Sequence, residues 1–344
     1  MTRASAPAAE PRRDASSDDG SAAAASARPV PPEFAALLSP MEPDEFFARF
    51  YERDYVHIPG PADKFAHLLS LPEFRRLVAD GVPWRSRRAP ETYYEGCQVR
   101  AEDLYFAFES MDGQLRRRPF PRRMEKLLAG GASLVSYGMH EFVPALARLT
   151  RTVARTLGGE TEAHVIYSRQ GKKGLSPHYD STDVFVFHLA GQKEWNVWDQ
   201  RVAHPIGGKG AVVEFDEAST AEKVLLSPGS LLYLPRGRFH DALAVAGESL
   251  HVAAATKVPT GYDFLTFLLR AAIECDDVRA YFAAFDRSAP PGPREEAVRR
   301  LMGSLTELAL DPAVLDAFEE SVRLQAHDEE ISFPFPVLEG EGQK

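Results

Sequence analysis

"SPHYDSTDVFVFHLAGQKEWNVWD", residues 176–199, reads almost throughout as a pair of buried strands, yet it opens with His178 and Asp180. Residues i and i+2 of a strand point to the same face, and a packed imidazole and carboxylate need partners. A second histidine, His240, closes "PGSLLYLPRGRFH" (228–240), where Pro228-Gly229 sets a turn, "SLLYL" a strand, and Pro235 and Gly237 its end. Two imidazoles and one carboxylate on neighbouring strands make a facial triad that leaves coordination positions open on a non-haem Fe(II). Those open positions let one iron hold a co-substrate and dioxygen together. In a chain with ten histidines, a His-x-Asp tripeptide alone carries little weight. Strand context and the strand-terminal His240 supply the rest. The near-match His327-Asp328-Glu329 stands in an acidic end and is read as unrelated.

Lys193 is the next candidate. In "KEWNVW" (193–198) alternation puts Lys193, Trp195 and Val197 on one face and Glu194, Asn196 and Trp198 on the other. If Trp195 and Val197 face the interior, Lys193 points inward too. A buried ammonium is costly unless an anion meets it, and a ligand carboxylate would serve. The reversed register leaves Lys193 on the surface, and the strand pattern alone keeps both readings open.

Around this stretch, period-two patterning runs from 163 to 257: "AHVIYS", "DVFVFHLAG", "KEWNVWD", "KVLLS", "SLLYLP" and "SLHVAAAT", several separated by Gly- or Pro-containing turns. Short strands of this kind predict an antiparallel sandwich or barrel. On "HVIYS", His164, Ile166 and Ser168 share a face. Helical patterns flank the region. Phe46, Phe47, Phe50 and Tyr51 fit an amphipathic helix, and "YVHIPG" a short strand. One or two helices fit 63–81, and "FVPALARLTRTVARTLGG" a glycine-capped helix. About three more helices fit 260–328. Residues 83–130 read as irregular and basic, with "WRSRRAP" and "LRRRPFPRRMEK". The expected organisation is a disordered tail (1–30), a catalytic domain with N-terminal helical elements (31–257), a helical region (258–330) and an acidic tail (331–344).

The chain has 344 residues, 44% hydrophobic and 26% charged, with a net charge of −10. That balance argues against nucleic-acid binding through a diffuse positive field. Two cysteines offer neither a disulfide framework nor a Cys-rich zinc site, which points to a cytoplasmic setting. No apolar run reaches membrane-span length.

"GLSPHYDSTDVFVFHLAGQKEWNVWD" together with "PGSLLYLPRGRFHDAL" resembles the JmjC-type cupin oxygenases, above all the ribosomal oxygenases and their bacterial relatives that hydroxylate protein side chains. The resemblance extends to "FFARFYERDYVHIPG" and "FVPALARLTRTVARTLGG" and covers about residues 33–257. It implies an α+β chain with a double-stranded β-helix (jelly-roll, cupin) core between N-terminal helices and a C-terminal helical region. It also implies Fe(II) held by His178, Asp180 and His240. 2-Oxoglutarate and O2 would be co-substrates, with Lys193 pairing the far carboxylate. The reaction it implies is hydroxylation of a side-chain carbon of a ribosomal protein or a precursor peptide, with release of succinate and CO2. Ile166 stands where the family has a helper tyrosine and Ala255 where it can have a serine, so His164 or Ser168 is expected to contact the co-substrate instead. Arg116, Arg117, Arg118, Arg122 and Arg123 are candidate substrate-docking residues, with a solvated, salt-bridged loop as the competing reading. His188 and His251 are read as core residues. The C-terminal helices allow a homodimer. Alternatives on the same site are N-methyl-lysine demethylation and a catalytically silent cupin-like binding protein.

Overall fold

The computed structural model describes residues 30–171, 173–209, 213–282 and 291–326. The expected tails, 1–30 apart from Val30 and 331–344, lie outside these residues, as does the His327-Asp328-Glu329 match.

Two short helices, α1 (Pro32–Leu38) and α2 (Pro43–Arg49), lead into strand β1 (Val56–Ile58). Both start on proline, whose fixed φ suits the first helical turn. Their aromatic residues are the reason they dock. Phe34 and Phe46 are fully buried, and the Phe46 ring meets Tyr233 edge-on at 4.9 Å between centroids. Helix α3 (Leu71–Ala79) opens on a capping box between Ser70 and Glu73.

The segment 83–130, read from sequence as irregular, is ordered. It holds β2 (Glu91–Tyr94), β3 (Cys97–Gln98), α4 (Ala101–Leu104), β4 (Tyr105–Glu109), β5 (Leu115–Pro119) and α5 (Pro121–Ala129). Strand β2 pairs with the distant β6 (Ser133–Ser136), and β4 pairs only with β5. That hairpin arm is mostly exposed on both faces, so it carries no apolar alternation to announce it.

Helix α6 (Pro144–Leu157) buries Leu146, Leu149 and Val153 on one stripe and ends at Gly158, whose φ is 73°. Strands β7 (Glu160–Arg169), β8 (Asp183–Arg201), β9 (Ala221–Leu226), β10 (Leu231–Leu234) and β11 (Arg238–Lys257) follow. Together with β1, β6, β2 and β3 they form one nine-stranded, antiparallel sheet, ordered β1-β10-β8-β11-β7-β6-β2-β3 with β9 beside β8.

Two strands organise it. The sequence separates "DVFVFHLAG" from "KEWNVWD", whereas β8 runs through both. Its first half pairs with β10 and the end of β11, its second half with β9 and the start of β11. Strand β11 crosses in the same way, so the sheet curls into a double-stranded β-helix. Gly191 marks the crossing as an irregularity within the strand instead of a turn. Its φ is 70°, and a Cβ there would run into the carbonyl of Glu248. Inside the curl, Val184, Val186, Trp195, Val197, Val224, Leu226, Leu232 and Leu234 pack as one buried cluster. The described remainder is helical: α7 (Gly261–Ala271), α8 (Asp276–Arg279), α9 (Pro291–Ala309) and α10 (Pro312–Gln325).

Candidate metal centre

His178 and His240 are brought opposite one another by the backbone. The His178 amide donates to the His240 carbonyl at 3.1 Å, and the His240 amide returns a bond at 2.8 Å. Their rings lie 4.4 Å apart between centroids. A further bond, from the Gly237 amide to the Asp180 carbonyl at 2.8 Å, fixes the chain beyond Asp180.

The ring orientations follow from two carbonyls. His178 Nδ1 lies 2.9 Å from the Ser176 carbonyl and His240 Nδ1 lies 3.0 Å from that of Arg238. A carbonyl only accepts, so each Nδ1 carries the proton and each Nε2 keeps its lone pair. His240 Nε2 faces Asp180 Oδ2 at 3.5 Å. One ligand atom from each of His178, Asp180 and His240 falls within 4.8 Å of the others. Burial, then the neighbouring His178, lowers the His240 pKa to about 4, which keeps that imidazole neutral, the form that ligates. Two nitrogens and one carboxylate oxygen gathered on one side, with second-atom hydrogen bonds setting each ring, fit a divalent iron and leave positions free.

The triad opens into a cavity of about 580 Å³. Lys193 is at its buried end, 4% exposed, so the inward register is the one adopted. Its ammonium donates to Ser168 Oγ at 3.0 Å, and Ser168 Oγ lies 2.8 Å from Ser133 Oγ. Burial lowers the Lys193 pKa to about 7. No carboxylate meets it among the described residues. His251 and His188 stack beside it, 6.2 Å apart. Burial holds the His251 pKa well below its ordinary value and that of His188 at about 4. The end of the cavity therefore holds one cation and the neutral His251 ring, with neutral His188 behind it; the Nδ1 atoms of both rings are buried and unpartnered among the described residues.

The other candidates scatter. His164 lines the cavity on a different wall, its ring 5.0 Å from that of Tyr137, while Ser168 is buried behind Lys193. Arg116 pairs with Asp112 at 2.7 Å, and Arg117 donates to the Ser86 carbonyl at 3.2 Å. Arg118 lies over Phe108 and Arg123 over Phe120. With Arg122 they occupy the β4–β5 arm and α5, and none of the five lines the cavity.

Among the lining residues that escaped the sequence reading, Arg88, Tyr93 and Tyr137 form one wall. The Arg88 guanidinium lies 3.6 Å over the Tyr137 ring and reaches Glu91 at 3.0 Å. The phenols of Tyr93 and Tyr137 both donate to Glu91 Oε2, at 2.6 and 2.7 Å. The i, i+2 spacing of Glu91 and Tyr93 is the one local sign of this wall. Its other half arrives through the β2–β6 pairing.

The curled sheet with the triad at its mouth is a cupin-type double-stranded β-helix, and residues 138–264 match the JmjC domain family. The chain is similar to the ribosomal oxygenases. It is 28% identical over 264 residues to ribosomal oxygenase 1 of Rattus norvegicus, covering 70% of this chain and 40% of that protein. To ribosomal oxygenase 2 of the same species it is 26% identical over 230 residues, covering 65% and 47%. The chain thus spans less than half the length of these relatives. The ribosomal oxygenase YcfD of Escherichia coli, solved with cobalt and 2-oxoglutarate, shares the fold. Its TM-score is 0.55 at 18% identity, covering 79% of this chain and 68% of that one.

Proposed function

We propose that the protein is an Fe(II)- and 2-oxoglutarate-dependent dioxygenase that hydroxylates a side-chain carbon of a protein or peptide. One observation carries this reading. The three donor atoms and a buried, carboxylate-free ammonium belong to the same cavity. Burying such an ammonium opposes folding, so its value lies in what it holds.

In this reading His178, Asp180 and His240 hold iron on one face, and Lys193 pairs the far carboxylate of 2-oxoglutarate, steadied by Ser168. The spacing suits a five-carbon diacid. His240 is opposite Val197 and Ala244 opposite Lys193, so the two anchors are four residues apart along β8, about 13 Å. Both side chains project from the strands into the cavity, so the metal and the diacid would lie between their tips. Neutral His188 and His251 surround the ammonium without competing for the anion. Bound iron supplies the dioxygen activation that couples decarboxylation of 2-oxoglutarate to oxygen insertion into a substrate C–H bond, leaving succinate and CO2. Trp195, beside His240 at 5.8 Å between rings, and the apolar walls at Ile166, Val186 and Leu234 keep bulk water from the reacting atoms. His164 and the Arg88–Tyr137 wall border the space left for the substrate side chain.

Several neighbours bear the name ribosomal oxygenase, which makes a ribosomal protein the first substrate to test and a dedicated precursor peptide the second. We place the protein in the cytoplasm. Cys97 and Cys275 are both free thiols, and among the described residues no helix is long and apolar enough to cross a membrane. Leu265 and Leu269 on α7 and Ile273 in the turn just after it are each more than half exposed at four-residue spacing, a face we assign to a homodimer.

The test is succinate release from 2-oxoglutarate that requires both Fe(II) and substrate, with one added oxygen atom found by mass spectrometry of ribosomal proteins or candidate peptides. Formaldehyde release with loss of a methyl group would assign N-methyl-lysine demethylation instead. Iron binding without 2-oxoglutarate consumption would leave a silent binding protein.

A further inference from the structure

The segment between β7 and His178 is tied down at three places, none of which a loop needs for its own sake. The first tie is to the β2–β3 hairpin. Gly96 donates to the carbonyls of Lys173 and Gly174 at 3.3 and 3.1 Å and bridges to Leu175, while Ser176 Oγ donates to the Gly96 carbonyl at 3.3 Å. Contact here is close: a Cβ on Gly96 would lie 2.5 Å from Ser176 Oγ, and one on Gly174 2.5 Å from Ser133 Oγ.

The second tie is an ion pair. Asp241 is 1% exposed and follows His240 directly. Its carboxylate accepts from Asn196 Nδ2 at 2.6 Å and from Lys173 Nζ at 2.8 Å. A buried carboxylate is tolerated only when its charge is met, and Lys173, itself half-exposed, is the one cation bonded to it among the described residues. The third tie is to the ring of His178, whose Nδ1 faces the Ser176 carbonyl. One short strap, 173–176, thus sets the orientation of His178 and is anchored to the residue beside His240.

We propose that Lys173 is a positioning residue for the metal centre: by capping Asp241 it holds the strap so that the Ser176 carbonyl keeps His178 Nε2 aimed at the point shared with His240 and Asp180. This rests on the assignment of those three residues as metal ligands. With Lys173 removed, Asp241 keeps only Asn196, the strap loses its charged anchor, and His178 samples orientations that do not converge with His240.

The experiment compares wild type with Lys173→Met, Lys173→Arg and the double variant Lys173→Met/Asp241→Asn. Metal affinity is measured with Mn(II) alone by electron paramagnetic resonance, and strap order in the metal-free protein by amide exchange at Gly96. Partners that orient metal ligands are worth about 10–100-fold in affinity, so Lys173→Met is expected to bind Mn(II) about tenfold more weakly. Gly96 should exchange faster in that variant, and the melting temperature should fall because the Asp241 carboxylate loses its one cation. Lys173→Arg should restore both readouts. The double variant, which removes the unmet charge without restoring the anchor, should recover the melting temperature but bind Mn(II) as weakly as Lys173→Met, and full recovery of affinity there would overturn the positioning role. Equal Mn(II) affinity and equal Gly96 exchange in wild type and Lys173→Met would overturn the positioning role while leaving the ligand assignment standing. Absence of Mn(II) binding to wild type, or binding unaffected by His178→Ala, would overturn both.

Discussion

If Lys193 is the anchor for a dicarboxylate, its own titration sets how tightly that ligand binds. Burial brings its pKa from 10.5 to about 7, and only the ammonium form pairs a carboxylate. Below pH 7 the charge is present in the free protein and affinity should be flat. Above it, binding must take up a proton, and each pH unit weakens affinity by up to tenfold until the pKa of the complex is reached. Between pH 7 and 8.5 the dissociation constant for 2-oxoglutarate should rise by about 16-fold. Lys193→Met removes a charge-assisted hydrogen bond worth about 1.5–3 kcal/mol. It should bind about 10–100-fold more weakly at pH 6.5 and lose the pH dependence. Isothermal titration of 2-oxoglutarate into Mn(II)-loaded protein, in buffers of different ionisation heat, reads both affinity and proton uptake. The same shift governs stability with a definite sign. Between the folded and unfolded pKa the unfolded chain binds more protons, so stability rises with pH from about 7 towards 10.5. The burial penalty is present in full below pH 7. Lys193→Met should therefore be the more stable protein at pH 6.5, by up to about 5 kcal/mol, with the gap closing as pH rises. A wild-type dissociation constant that climbs no faster with pH than that of Lys193→Met would refute the reasoning.

Other outcomes follow from the same geometry. His178→Ala or Asp180→Ala should abolish succinate formation and weaken Mn(II) binding by at least about 100-fold, with the thermal transition retained. Gly191→Val places a branched side chain at positive φ against the Glu248 carbonyl and should cost at least about 3 kcal/mol in urea unfolding. Tyr233 donates to the buried Asp183 at 2.7 Å, so Tyr233→Phe should lower stability by about 1–3 kcal/mol while leaving Mn(II) binding unchanged.

The sequence speaks most clearly where side chains alternate between a packed and an open face. Lys193 stands out because it is polar on a face that Trp195 and Val197 mark as buried. His178 and Asp180, read as the start of a strand, lie in an irregular segment before β8, where neither is fully buried, and the structure does bring them together with His240. Longer-range information is weaker. "GQK" reads as a turn because glycine and two polar residues interrupt the apolar run, but the break is an irregularity inside one continuous strand. The Arg88–Glu91–Tyr137 wall joins residues from a coil, from β2 between β6 and β3, and from the turn just after β6. No local spacing encodes that meeting. Clustered arginines at 116–123 are a local signal with no cavity behind it: Arg116 meets Asp112, Arg118 lies over Phe108, and Arg123 meets Asp103 and Phe120.

The continuity of β8 and β11 through both halves of the curl also acts as a gauge. On the proposed reading, the iron ligand His240 and the anion partner Lys193 are rooted on two rails that share hydrogen bonds on both sides of the crossing, so register fixes the distance between their roots. A keto diacid one methylene longer or shorter would then have to be met by the lysine stem alone. Chain-length preference would in that case begin with the backbone, ahead of any contact to the ligand's middle carbons.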